Sequence, residues 1–461
     1  MHNVSLSTMC VGVLDACIIG ERVVLGPDRV TEANALSKKF SRLWRNYVWG
    51  QQHDTVMERG TFSAIDNEPE RYCSYNSTID GEGPDARCVG DSDEGDTVAH
   101  WININTKASR DAIWSAPWLP FGLTWFPTYP QSFAESFTNN ALSLYEMAEA
   151  GWLPRDTQLL PASSWYDFWY EPFAPARPLT TLQRLEQQKK TLCFRRLAVC
   201  HLDSFVFDDG YGAGHRGPGR RPWSTMQAIV EQTRGLRRRA RLMKEIWRKP
   251  ALLFPQRTVG DTPKLRVLVV ERRGMSNQRN ILNARQIAHE LDGDKLGMLI
   301  SAEASALGKG FAKDAERVRG FDVLLGAHGG DLINALCMHR GSSAIEVRGY
   351  RWRDDGHGVW PGYYARLFGL DHAIYHYVVQ LSLNDTMGAP AMQAANPAKR
   401  LSPHATWSLD MVLPIHAARA VLTAIIGVGG NPSAYNARNR DGDGSIMWVG
   451  RGWGGLKGPH G

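Results

Sequence analysis

The chain has 461 residues, of which 43% are apolar and 22% charged, the composition of an ordinary globular protein and, at this length, of two cores rather than one. Its net charge of +6 is small and is gathered in residues 234–249 (RGLRRRARLMKEIWRK) without a row of stacking aromatics, which argues against nucleic-acid or membrane-surface binding. No apolar run approaches the roughly 18 residues of a membrane span. The first residues lack the basic start and unbroken apolar core of a signal peptide, and the seven cysteines include no CxxC pair and no Cys/His cluster at zinc spacing.

Along the chain, residues 11–19 and 22–25 read as short strands between polar connectors. Residues 68–97 form an acidic, loop-rich region holding Cys73 and Cys88, while Cys193 and Cys200 lie close in sequence; either pair could form a disulfide in an oxidising compartment, and spacing leaves the matter open. Sequons beginning at Asn3, Asn76 and Asn384 point weakly to a lumenal location. NNALSLYEMAEAGWLP (139–154) predicts a helix, and residues 156–161 and 192–199 predict strands.

From Lys264 the pattern is cleaner. LRVLVVE (265–271) predicts a buried strand, residues 279–291 an amphipathic helix, KLGMLIS (295–301) a strand and residues 307–321 a helix. Strand FDVLL then meets the loop GAHGG (326–330), followed by helix DLINALCM, strand SAIEV (343–347), helix GYYARLFGL and strand HAIYHYVV. Strands alternating with helices imply right-handed crossovers and a mostly parallel sheet, whose ligands bind beyond the carboxyl ends of the strands.

That edge collects chemistry. Gly329 and Gly330 open a helix start to an anion, and His328 can hydrogen-bond it. Arg272 and Arg273 end the first strand, Arg279 begins the next helix with Asn283 four residues on, and Glu346, near a strand end, suits the two hydroxyls of a ribose. Together these residues describe a nucleoside diphosphate site. Rival motifs are weaker. Asp91-Ser-Asp93 sits in an acidic loop with no preceding strand, and residues 439–450 imitate a calcium loop but end on Gly450 instead of a bidentate Glu. No GxSxG elbow exists, and no GxGxxG follows the first strand.

VLVVERRGMSNQRNILN, then FDVLLGAHGGDLINALCMHRGSSAIEV, then YYARLFGLDHAIYHY resembles glycosyltransferase family 61 in order and spacing over about 110 residues. NNALSLYEM and LCFRRLAVCHLDS add weaker similarity upstream. The resemblance implies an α/β, GT-B-like architecture of two facing Rossmann-like domains with mostly parallel sheets. Residues 1–250 would form the acceptor-side domain with loop insertions and 251–405 the nucleotide-sugar domain; 406–430 would be a return helix and 431–461 a Gly-rich disordered tail. It implies an inverting transfer of N-acetylglucosamine or a pentose such as xylose from a UDP-sugar to a hydroxyl of a glycan or glycoprotein, with no metal or other cofactor, in the Golgi or endoplasmic reticulum lumen. By position, Arg273, Arg279, Asn283, His328, Gly329, Gly330, Asn334 and Glu346 fall on the donor-binding pattern. The catalytic base is left open, with Glu135, Asp208, Asp209 and His328 as candidates. Three features depart from the family: Asp331 stands where glycine is favoured, Glu135 and Asn139 replace an upstream His and acid, and no membrane anchor is seen. These departures keep an alternative alive, a degenerate transferase that binds a nucleotide sugar or glycan without turning it over.

Overall fold

The computed structural model describes residues 10–19, 22–25, 62–64, 70–73, 99–102, 116–125, 133–154, 156–161, 166–170, 173, 177–200, 222–232, 264–272, 279–308, 310–352, 359–369, 372–397, 401, 403–406, 408–438, 445–449 and 455–457. It is a mixed α/β structure with mostly parallel sheets, compatible with a Rossmann-like fold, and it divides into two compact units, Met1–Gly219 and Arg220–Gly461.

The first unit carries a six-stranded sheet in the order β3-β2-β1-β8-β6-β7. Its strands are β1 (Cys10–Ile19), β2 (Arg22–Leu25), β3 (Phe62–Ala64), β6 (Trp118–Trp125), β7 (Gln158–Pro161) and β8 (Thr191–Cys200), while β4 (Glu70–Cys73) and β5 (Ala99–Ile102) pair separately. β6 runs parallel to both β7 and β8, and β1 joins antiparallel to β8. Helix α1 (Phe133–Ser136) runs through a π turn, Phe137–Ala141, into α2 (Leu142–Glu149), and α3 (Leu182–Gln187) precedes β8. The β1/β8 register sets Cys10 opposite Cys200 and Cys17 opposite Cys193, and both pairs are disulfides. Pairing of Cys193 with Cys200 is thereby corrected. The two lie seven residues apart on one strand, about 23 Å at ~3.3 Å per residue, beyond the reach of a disulfide. Cys88 lies outside the described residues.

The second unit begins with α4 (Pro222–Gln232), whose Trp223 Nε1 donates to Met338 O and Gln227 Nε2 to Leu336 O. This helix belongs with the second core, so the division falls at 219/220 and not at 250. The sheet order is β10-β9-β11-β12-β13-β14-β15, built from β9 (Lys264–Glu271), β10 (Leu299–Ala306), β11 (Val323–Ala327), β12 (Ser343–Arg348), β13 (Tyr375–Gln380), β14 (Ser445–Val449) and β15 (Gly455–Lys457). All neighbours are parallel except β14 and β15. The expected disordered tail is corrected here: α11 (Pro432–Arg438) and two strands occupy part of it, SIMWV extending the sheet as an apolar strand does.

The remaining helices of this unit are α5 (Ala284–Leu291), α6 (Phe311–Val318), a 3-10 helix over Gly330–Cys337, α7 (Val359–Gly369), α8 (Ala389–Ala395), α9 (Pro403–Thr406) and α10 (Ile415–Val428). Strand side chains alternate between the two faces of the sheet. Leu265, Val267, Val269, Val323, Leu325, Ile345, Val347, Tyr377 and Val379 point one way into a core closed by the buried sides of α5 and α10. Because α5 starts at Ala284, residues 279–283 are not helical as expected. Asn280, Ile281 and Leu282 instead pair in extended fashion with Met411, through Leu282 N to Met411 O (2.9 Å) and Met411 N to Asn280 O (2.8 Å). Among the described residues no helix is long and apolar enough to cross a membrane.

Candidate functional site

Strand order places the site. β9 is followed on one side by β10 and on the other by β11, so the crossovers leave in opposite directions and a crevice opens between the carboxyl ends of β9 and β11. β11 stays paired to β9 only through Leu325 and Val269; beyond that point β9 continues beside β10 and β11 continues beside β12. Arg272 leaves β9 into this crevice, and His328-Gly329-Gly330 leaves β11 into it.

Arg272 packs flat on the glycine loop. A Cβ at position 329 would lie 2.9 Å from Arg272 Nη2 and 3.0 Å from its Cζ, so a side chain there would push the guanidinium aside. Gly329 O accepts a bond from the Tyr364 hydroxyl of α7 at 2.6 Å, which fixes the loop from behind. Arg272, with its side chain 6% exposed, has Nε 3.3 Å from Asp331 Oδ2. Asp331 is thus the counter-ion of Arg272. Burial pushes its carboxyl up, against the pull of Arg272.

Arg279 has φ +77°, a left-handed conformation that costs a non-glycine residue about 1–2 kcal/mol. The neighbouring Asn280 is pinned, its backbone N and its Nδ2 both donating to Asp410 Oδ1 at 2.8 and 2.9 Å, so the strain is held by packing. Burial, and then the charge of Arg272, push Arg279 down to about 10. Each guanidinium group therefore feels the charge of the other, and Asp331 acts on both as a counter-charge.

The other expected ligands have different work. Glu346 is 0% exposed and cannot face a ribose. Its Oε1 bonds His328 Nδ1, its Oε2 accepts from Arg348 Nη2 at 2.9 Å, and His376 Nε2 lies 2.9 Å from the same Oε2. Burial opposes its ionisation, but Arg348, His328 and the two imidazole contacts outweigh burial and hold the carboxyl well below its ordinary range. Asn283 is spent on structure, its amide bonding both N and O of Leu413 at 2.9 Å. Asn334 Nδ2 donates to Asp331 O at 2.9 Å inside the 3-10 helix, holding the turn that carries Asp331. Gly330 opens that helix.

His328 is closely constrained. Besides the bond to Glu346, its ring lies 4.8 Å from Trp352 and 5.5 Å from Tyr364 between centroids, and its backbone N donates to Val347 O. Burial pushes the imidazole down, and Glu346 only partly restores it, so the ring is neutral near pH ~7. With Nδ1 on Glu346, Nε2 is the ring nitrogen left for a ligand, and in a neutral ring it accepts a proton and donates none to a phosphate oxygen.

Sequence reasoning missed Arg348, His376, Trp352 and Tyr364. Arg348 carries a usable signal, since it stands two residues after Glu346 on the same strand and therefore on the same face. His376 pairs opposite Ala344, which puts it on that face too, but only the register reveals this. Gly326 pairs with Glu346, and His328, two residues on, follows it on the same face.

Arg273, Asp208, Asp209, Asp91 and Asp93 lie outside the described residues. Glu135 falls in α1 of the first unit, and Asn139 in the π turn after it. Among the described residues no group of three or more His, Cys, Asp or Glu side chains is placed to hold a metal ion. Cys337, the free cysteine of the described residues, is buried with its thiol pushed up to about 12 by burial, which makes it a poor nucleophile. No protein-family model matches the chain, and no curated protein matches it significantly.

Proposed function

We propose that the second unit binds a nucleoside diphosphate sugar at the crevice between β9 and β11, and that the protein is an inverting glycosyltransferase acting on a glycan or glycoprotein hydroxyl. The observation that carries this reading is Arg272 packed against Gly329, with Arg279 close enough to feel its charge, at the point where strand order reverses. Mutual repulsion between two desolvated guanidinium groups is relieved by an anion that bonds both, and a diphosphate offers oxygens to each fork. The same charges stabilise the leaving diphosphate, which develops negative charge as the glycosidic phosphate bond breaks. The resemblance to glycosyltransferase family 61 supports UDP-N-acetylglucosamine or UDP-xylose as the donor, a GT-B arrangement and metal-independent transfer. The two disulfides of the first unit favour an oxidising compartment, the secretory-pathway lumen.

Thermal shift against UDP, UDP-N-acetylglucosamine, UDP-xylose and uridine tests the reading. Stabilisation by the three diphosphates and none by uridine is expected; equal response to uridine and UDP would remove the role assigned to the arginines. UDP binding without UDP release from any donor would favour the non-catalytic alternative, in which the Asp331 contact with Arg272 marks a degenerate site.

A further inference from the structure

The anion site lacks an assigned base, and the group built most like one is His328. Glu346 is wholly buried and holds His328 Nδ1 from one side, while Arg348 and His376 occupy the other carboxylate oxygen, so Glu346 has no capacity left for a ligand. A carboxylate that fixes an imidazole tautomer from behind is the arrangement that turns the distal nitrogen into a proton acceptor. Trp352 and Tyr364 flank the ring, and Arg279 of the anion site is close enough to act on it electrostatically.

Resting on the donor reading above, we propose that His328 is the general base of the transfer and that Glu346 is its positioning residue. The proton of the attacking hydroxyl moves to His328 Nε2. The hydroxyl oxygen forms its bond to the anomeric carbon as the bond from that carbon to the diphosphate oxygen breaks, and the electron pair leaves with the diphosphate. The proton then passes from Nε2 to water. Arg272 and Arg279 do the binding and leaving-group work, so base and anion clamp are separate groups in one crevice.

The charged and titratable groups around the ring are Glu346 and Arg348 of β12, His376 of β13 across the shared carboxylate, Arg279, and Tyr364 of α7. Tyr364 is held protonated well above its ordinary range by burial, and Glu346 is held ionised, so neither changes charge near neutral pH. Protonation of His328 then adds an acid limb to the rate, displaced below the ordinary imidazole range by burial.

The test uses the full chain with UDP-N-acetylglucosamine and UDP-xylose, following UDP release to water as acceptor, alongside calorimetry with UDP. His328→Gln should lower kcat by about 100-fold or more while leaving the UDP Kd within about threefold, and should abolish the acid limb. Glu346→Gln should lower kcat and displace the same limb. A His328→Gln variant that weakens UDP about tenfold or more and keeps kcat would make His328 a phosphate ligand and overturn the proposal. Normal turnover in that variant, or a wild-type chain that binds UDP but releases none from either donor, overturns the base while leaving the donor reading intact; a wild-type chain that does not bind UDP overturns both. If His328→Gln does not fold, nitrogen NMR of the histidine-labelled wild-type chain decides. A proton on Nδ1 and a bare Nε2 near pH ~7 support the proposal, and the opposite tautomer or an imidazolium overturns it.

Discussion

The two faces of the second-unit sheet are made by the same strands and could hardly differ more. On one side Ile345 and Val347 of β12 join aliphatic residues under α5 and α10. On the other, Glu346 and Arg348 of that strand meet His376 and His328 beneath α7, and every one of these side chains is buried. An apolar face gains stability simply by leaving water, about 25 cal/mol per Å². A buried ionic network gives up most of its Coulomb energy to desolvation and is often no better than a hydrophobic replacement. The difference teaches where to look: the face that costs stability to build is the one that adjoins the crevice, and what it fixes is the orientation of His328.

Substitutions can break this contrast at several strengths. Glu346→Ala leaves Arg348 and two imidazoles without their carboxylate and should cost about 3–5 kcal/mol in urea unfolding. A Glu346→Ala chain as stable as wild type would mean that the network is not formed. Acidity acts on the same face. His328 and Glu346 both have depressed folded-state values, so each contributes stability that is present above its unfolded value and lost as pH falls toward the folded one. Stability should therefore fall from about pH 6.5 downward for His328, by up to ~1.4 kcal/mol per pH unit, with a further loss below pH ~4.3 for Glu346. His328→Gln should flatten the first of these phases in unfolding curves measured across pH. Asp331→Asn frees Arg272 from its carboxylate and should tighten UDP binding by about tenfold, ~1.4 kcal/mol, in calorimetry. Weaker binding in that variant would show that Asp331 assists the anion. On the apolar face, Ile345→Val should cost only about 0.5–1.5 kcal/mol and leave UDP affinity unchanged.

Much of the second unit was legible because strands such as VLVVE and FDVLL are buried on both faces and read as plain apolar runs. β10 was placed too early for the opposite reason: it is the edge strand, and SAEASA carries too many small and polar residues to announce itself. The helix assigned from Arg279 starts only at Ala284 because the residues before it pair with Met411, a partner some 130 residues away that no local window contains. The residues of the crevice were recognised by type and position, yet the tasks given to Asn283 and Glu346 were wrong. Both look like ligands in one dimension, and only the neighbouring strand and segment reveal that their polar atoms are already used. Asp331 looked discordant for the same reason, since its partner Arg272 lies 59 positions earlier in the chain.

The central claim is that Arg272 and Arg279 form an anion clamp for a diphosphate at the β9/β11 crevice. Arg279→Gly tests it most directly, because glycine adopts the φ of +77° without strain while the substitution removes the guanidinium with its side chain. Calorimetry of UDP on the wild-type chain and this variant should show binding to the first and an affinity about 100-fold lower in the second, ~2.7 kcal/mol. Equal UDP affinity in the two chains would contradict the account.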